Sequence, residues 1–317
     1  MASSKKAIYA AIAGNGAIAV TKFIGAAISG SSAMLAEGIH SLVDTGNGGL
    51  LLLGIRRSQR PPDDDHPYGY GKTLYFYALI VAVLIFGLGG GISLYEGILH
   101  TLHPAAPATG GATIFGITLS GLMLNTLVLS AAIVFEAGAF WAAWTEFNAM
   151  RGDKPLFEAI RTSKDPTTFT VLFEDSAAIA GLVVALVGVH MAHALQMPIF
   201  DGIASIFIGL ILCSVAGVLV WESKKLIIGE AADPGLRADV RDIAASDPSV
   251  DTVGRVLTLH MGPQTLILNM DLQFAPSLNA AEVETAVDRI EKTVRKAHSE
   301  VSYIFLEAES LGSRASA

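Results

Sequence analysis

Six long apolar stretches constrain this chain more than any other feature. They run Ala7–Ile28, Ala33–Ile55, Leu74–Leu99, Ile114–Trp144, Thr168–His190 and Ile203–Trp221. About 20 residues of helix cross a hydrocarbon core of about 30 Å. Inside that core only helices and closed barrels satisfy their own backbone, and barrel strands are about half as long, so the stretches predict six transmembrane helices. The fourth is over-long and is expected to tilt or project into water. Charged residues make up only 16% of the chain, against roughly 25% in soluble domains, and the mean hydropathy is +0.52. The 32 glycines suit close-packed membrane helices. Lys5 and Lys6 precede a stretch longer than a signal-peptide core, with no small-residue cleavage site, so it reads as the first span.

Basic residues orient these spans. Lys5 and Lys6, the loops 56–72 and 151–164, and Lys224 and Lys225 together hold twelve Lys and Arg, all on the side shared by both termini. The opposite loops, 29–33, 100–113 and 191–202, hold none. The positive-inside rule then places both termini in the cytoplasm, and a bacterial cytoplasmic membrane is the expected location. A seam falls near Gly229: residues 1–229 read as the six-span domain and 230–317 as a cytoplasmic domain, which carries 8 of the 21 Lys and Arg. Its pattern is αββαβ. A helix over Leu236–Ala245 precedes strands at Asp251–Met261 and Thr265–Phe274, split by Gly262-Pro263. Asn279 caps a helix to about Ala297, with Val283, Val287, Ile290 and Val294 at helical spacing, and Val301–Leu306 is the last strand. The fold class is thus an α-helical membrane protein with a small α+β appendage. A net charge of −8 argues against nucleic-acid binding. The single cysteine, Cys213, excludes a disulfide framework and CxxC zinc clusters.

Ionisable groups at bilayer depth are costly and mark pathways. The second span places Glu37, His40, Asp44 and Asn47 at i, i+3, i+7 and i+10, one narrow helical stripe. His40 and Asp44, one turn apart, suit a single cation: Zn²⁺ favours an imidazole–carboxylate mixture, and Mn²⁺, Fe²⁺ and Co²⁺ tolerate it. The fifth span adds Glu174 and Asp175, which point about 100° apart. A four-coordinate site needs His40, Asp44, Asp175 and one more ligand, which can be Glu174, Asn47 or water. Glu136 in the fourth span is a candidate proton carrier, and Lys22 in the first is an alternative ion-pair partner for Glu37 or Glu136. Asp63, Asp64, Asp65 and His66 can collect a divalent cation in the loop after the second span, or pair with nearby arginines. Gly87-Leu88-Gly89-Gly90-Gly91 reads as helix packing.

The stretch Ser31-Ser32-Ala33-Met34-Leu35-Ala36-Glu37-Gly38-Ile39-His40-Ser41-Leu42-Val43-Asp44, with the loop ending His66-Pro67-Tyr68-Gly69-Tyr70-Gly71-Lys72, resembles the signature of the cation diffusion facilitator family of zinc transporters. Six spans followed by an αββαβ domain is that family's layout, so the resemblance covers nearly the whole chain. Ser163–Thr168 running into Leu172–Ala178, together with Thr101-Leu102-His103-Pro104, is most similar to the zinc transporter 9 branch. The resemblance implies a homodimeric metal–proton antiporter using His40, Asp44 and Asp175. The family's fourth ligand position, four residues before Asp175, is Val171, which cannot coordinate, and Glu174 is the nearest substitute. In the loop, Asp63 and His66 match family ligands, but Tyr70 stands where a histidine would. In the last domain the family's zinc-binding histidines are largely missing: His260 and His298 are isolated, with Glu307 and Glu309 in the acidic tail. That domain is expected to dimerise without a strong metal cluster.

These readings predict a secondary active transporter in the bilayer that moves divalent cations, with Zn²⁺ favoured as substrate rather than cofactor, in exchange for protons. Metal needs neutral imidazole and ionised carboxylates, so a proton at His40 competes with it near pH 6.5. One rival keeps the class and changes the ion to Mn²⁺, Fe²⁺ or Co²⁺. Another is a non-transporting membrane receptor or scaffold. No P-loop, GxSxG or nucleophile–base arrangement supports an enzyme.

Overall fold

The structure, a computed structural model, describes residues 2–104, 111–114, 117–152 and 154–309. In chain order these form α1 (Ala2–Ser29), α2 (Ser32–Ser58), α3 (Thr73–Leu84), a π-helical stretch (Ile85–Gly91), α4 (Ile92–Leu102), β1 (Gly111–Ile114), β2 (Ile117–Ser120), α5 (Gly121–Arg151), α6 (Leu156–Thr162), α7 (Pro166–Ala194), α8 (Ile199–Ile228), α9 (Pro234–Ala245), β3 (Val250–Gly262), β4 (Thr265–Phe274), α10 (Ala280–Ala297) and β5 (Val301–Ala308). The third span is one rod from Thr73 to Leu102, widened by the π stretch. Together with α5, α7 and α8 it is long and apolar enough to cross a membrane. The helix α2 is less apolar because it carries the polar stripe. The chain is an integral membrane protein with a small α+β domain at its C-terminal end.

Chain packing divides the molecule into two compact units. One comprises 1–56, 76–161 and 166–223; the other comprises 57–75, 162–165 and 224–317. In the membrane unit small residues let helices approach closely. A Cβ at Gly90 would lie 2.5 Å from the Cys213 sulfur, and one at Gly97 would lie 2.6 Å from the Ile206 backbone nitrogen, so the third span and α8 meet backbone to backbone. The glycine run thus packs as read, except that Gly87 faces open space. The fourth span starts later than expected. Residues 111–114 and 117–120 pair antiparallel, and Ser120 caps α5 by accepting from the Met123 amide. The extra length reappears at the other end, where α5 runs to Arg151.

The second unit is built on the order β3-β4-β5, with β3–β4 antiparallel and β4–β5 parallel. Alternate β4 residues Leu266, Leu268, Met270 and Leu272 are fully buried, the period-two signature of a one-sided sheet. They form a core with Val240 and Ala244 of α9 and Ile290 and Val294 of α10. Ala286 completes the inward face of α10, whereas Val283 and Val287 are only half-buried. Asn279 and Glu282 form a reciprocal capping box. The loop 57–75 packs on this domain: Tyr68 meets Tyr303 edge-on at 5.1 Å, and a Cβ at Gly71 would lie 2.3 Å from the Met261 carbonyl oxygen.

Candidate metal centre

The site begins at the first turn of α2, which is anchored from another helix. Ser31 caps α2 by accepting from the Met34 amide at 3.1 Å. Asp201, in the first turn of α8, accepts from the Ser31 hydroxyl at 2.6 Å, the Ser32 amide at 2.5 Å and hydroxyl at 3.0 Å, and the Ala33 amide at 3.4 Å. A carboxylate against the orphan amides and positive end of a helix is favourable. This fixes the height of the stripe below it.

Along that stripe His40 and Asp44 come together, with Nε2 3.4 Å from Oδ2. One turn further, Asn47 donates to Glu174 of α7 at 2.8 Å. Glu174, Glu136 and Asp175 all lie within electrostatic reach of Asp44. His40, Asn47, Glu136 and Glu174 are buried. Yet several of their polar atoms have no hydrogen-bonding partner among the described residues: both ring nitrogens of His40, Asp44 Oδ1, Asn47 Oδ1, Asp175 Oδ2 and Glu136 Oε1. Unmet lone pairs in an apolar interior cost several kcal/mol in total. Their concentration on α2, α5 and α7 is what a cation-binding site requires. The arrangement is a His40–Asp44 pair and an Asn47–Glu174 pair rather than a closed shell. Among the described residues, only Asp271, Glu307 and Glu309 bring three acid, histidine or cysteine ligand atoms within 4.8 Å of one another. Val171 is 37% exposed, consistent with its having no ligand role.

Lys22 resolves the alternative raised for the acids. Its ammonium lies 3.0 Å from Glu37 and donates to the Ser41 hydroxyl at 2.8 Å, both side chains of the ion pair being fully buried. Glu37 is thus salt-bridged, and no salt bridge to Glu136 is found among the described residues. Helical spacing alone does not point to Ser41, Asp201 or Gly181, whose missing side chain leaves room for the Glu37 carboxylate. The signals were present: Ser31-Ser32 opens a helix, and Asp201 stands at the start of an apolar span.

The loop residues Asp63 and His66 contact each other and Tyr70. Tyr70 donates to Asp63 Oδ2 at 2.6 Å, and the His66 amide donates to Oδ1 at 2.8 Å, so both carboxylate oxygens are engaged. The Tyr70 bond, supported by His66, holds the Asp63 carboxyl below its usual range. The His66 ring lies 4.2 Å from the Tyr70 ring, tilted by 31°, and the Arg60 guanidinium lies 4.6 Å from the Tyr70 ring centre. In the C-terminal domain Arg255 donates to Asp271 at 2.7 Å and supplies positive charge to the acidic trio. His298 is less isolated than its sequence position suggests, lying 3.7 Å from Asp239 and 3.9 Å from Glu300.

A polytopic helical bundle with unsatisfied acids and a histidine at its centre defines an ion-handling membrane protein. The chain belongs to the cation efflux family, a family of membrane transporters: residues 8–228 match the cation efflux transmembrane domain. It is 29% identical to the human proton-coupled zinc antiporter SLC30A9, mitochondrial, over 95% of this chain and 58% of that protein. It is 30% identical to metal tolerance protein C4 of Arabidopsis thaliana, over 78% of this chain and 52% of that protein. It is 25% identical to the uncharacterized transporter YdbO of Bacillus subtilis, over 92% of this chain and 90% of that protein. The chain thus spans little more than half the length of the human and plant relatives.

Proposed function

We propose that this chain carries Zn²⁺ across a membrane in exchange for protons, through a site made by His40, Asp44, Asp175 and Glu174, with Asn47 at its edge. The observation that carries this reading is the set of unpartnered ring nitrogens and carboxylate oxygens on α2 and α7. A divalent ion meets those lone pairs directly, and so do protons when the ion leaves. The two pairs sit one helical turn apart on α2, and the Asn47–Glu174 bond joins α2 to α7. Asn47 donates to Glu174, the substitute for the ligand that Val171 cannot supply. Glu136, buried with one unpartnered oxygen and within reach of Asp44 and Asp175, carries a proton to or from the site. Alternating exposure of a fixed central site is the established way such bundles couple two fluxes. The names of the human antiporter and the plant tolerance protein agree with this reading.

The acid-rich set, with one imidazole, also fits Mn²⁺ or Fe²⁺, and oxygen ligands favour the harder ions. Comparing thermal stabilisation by Zn²⁺, Mn²⁺, Fe²⁺ and Co²⁺ separates these readings. We place both termini in the cytoplasm, on the side of the basic loops, and the protein in a bacterial plasma membrane. The match to a Bacillus subtilis transporter over 90% of its length agrees with that placement. The working unit is a homodimer joined through residues 230–317, as the family resemblance implies. The test is reconstitution in liposomes carrying a luminal pH dye: Zn²⁺ entry should move luminal pH, and His40→Ala should abolish the signal. Full metal-driven proton flux in His40→Ala overturns the proposal.

A further inference from the structure

We propose that Lys22 keeps Glu37 out of the transported-ion site and thereby sets how tightly that site holds its ion. The inference rests on the reading of His40, Asp44 and their partners as that site. Glu37 lies three residues before His40 on the same stripe of α2, one turn away, and is fully buried. By position it is a ligand as available as Asp44. One contact occupies it instead. Lys22 of α1 holds its Oε2 at 3.0 Å, while the same ammonium reaches the Ser41 hydroxyl at 2.8 Å. Its other oxygen, Oε1, has no hydrogen-bonding partner among the described residues. It points at α7, where a Cβ at Gly181 would come within 2.3 Å of it. Gly181 thus makes room for a carboxylate that is turned aside from the ion.

The chemical consequence follows from charge. An additional carboxylate within a turn of His40 would strengthen cation binding, and a transporter must also release its cargo. Lys22 cancels that carboxylate and adds a fixed positive charge within electrostatic reach of His40, Asp44 and Glu136. A buried ammonium is costly, and its full burial at 0% exposure is explained by a function that needs it there. Lys22 acts through Glu37 and the field at the site, so it is a positioning residue rather than a ligand.

The test is calorimetric titration of ZnCl₂ into the full chain in detergent, in two buffers of different ionisation enthalpy, so that affinity and protons released per ion are both read. Lys22→Met frees Glu37: binding should tighten by roughly tenfold, with about one more proton released per ion. Glu37→Gln leaves Lys22 without its counter-charge: binding should weaken by roughly tenfold. The double variant removes both charges and should return close to the wild-type affinity and proton count. A pair that only supports the fold would lower folded yield in all three and leave the affinity of the folded protein unchanged, and that result overturns the proposal. If Lys22→Met does not fold, Glu37→Gln and the double variant decide it by the same criterion. His40→Ala is the control: wild-type-like Zn²⁺ binding there overturns the site reading and this inference with it. Loss of binding in His40→Ala with no change in the Lys22 and Glu37 variants overturns only the role of Lys22.

Discussion

Asp201→Ala tests the claim that the metal-bearing helix is positioned from its N-terminus. Asp201 is 8% exposed, so water cannot replace it fully. Its four donors are not equivalent. Ser32 Oγ also lies 2.8 Å from Ser205 Oγ, and Ser31 Oγ still caps the Met34 amide, so both hydroxyls keep a role. The Ser32 and Ala33 amides lose the only acceptor they have among the described residues. A buried unsatisfied donor costs about 1–3 kcal/mol, and the Ala33 contact, at 3.4 Å, is the weaker of the two. The sum is about 3 kcal/mol, above the usual 0.5–2 kcal/mol of an exposed cap because the turn is buried. For a unit of this size that corresponds to a fall in Tm of roughly 6–12 °C. Asp201→Asn keeps one acceptor oxygen but loses the charge, and should fall about half as far. Thermal unfolding in detergent, followed by circular dichroism, reads both. Zn²⁺ affinity of the folded protein should drop in the same order, because the height of His40 and Asp44 depends on this anchor. An Asp201→Ala variant within 1 kcal/mol of wild type, or Asp201→Asn worse than Asp201→Ala, refutes the reasoning.

Gly97→Ala should destabilise by about 1–3 kcal/mol, since its Cβ meets the α8 backbone rather than a movable side chain. Gly138→Ala on α5, with nothing within 4 Å, should instead gain up to about 1 kcal/mol of helix propensity; both are read by thermal unfolding. Arg289 donates twice to Asp247 and holds its carboxyl below the usual range. The ionised form therefore stabilises above about pH 4 and that contribution disappears as pH falls through the depressed value. Because the arginine is 47% exposed, Arg289→Ala should cost only a little stability at neutral pH, and that cost should shrink as pH falls through the depressed value, measured by hydrogen exchange of β3–β5. Burial, with Lys164 adding, pushes His260 below its ordinary value. The native domain then refuses a proton that the unfolded chain takes below about pH 6.5, so β3 protection should weaken on acidification through that range, and His260→Gln should flatten the dependence.

Where one residue decides its own environment, the sequence sufficed. The capping box of α10 and the period-two burial of β4 need only local spacing, and both lie where that spacing puts them. The π-helical stretch was not readable. A glycine run lowers the cost of widening a helix, but the need to widen it comes from α8, whose Leu212 and Cys213 press against Gly89 and Gly90. The start of α5 was misread for a related reason. Residues 114–119 are apolar enough for a span, yet Ser120 offers the first good cap, and a helix begins where its orphan amides find acceptors.

The site divides along the same line. Its α2 stripe was visible because spacing on one helix is fixed geometry, whereas pairing between helices depends on rotations no spacing reveals. Glu174 and Asp175, adjacent in sequence, take different parts: one carboxylate receives Asn47, and the other keeps an unpartnered oxygen. Glu37 and Asp44 differ in the same way, though each sits on the stripe within one turn of His40. Each keeps one oxygen without a hydrogen-bonding partner among the described residues, but the other oxygen of Glu37 is held by a lysine fifteen residues upstream, whereas that of Asp44 faces His40. The bilayer interior makes every charge expensive, so acids there are kept either by a permanent internal cation or by a transient external one. Lys22 identifies Glu37 as the first kind. Asp44, Asp175 and Glu136 keep unpartnered oxygens without a lysine salt bridge among the described residues, which is the second kind, and on the proposed reading that distinction is what turns a row of buried acids into a transport site.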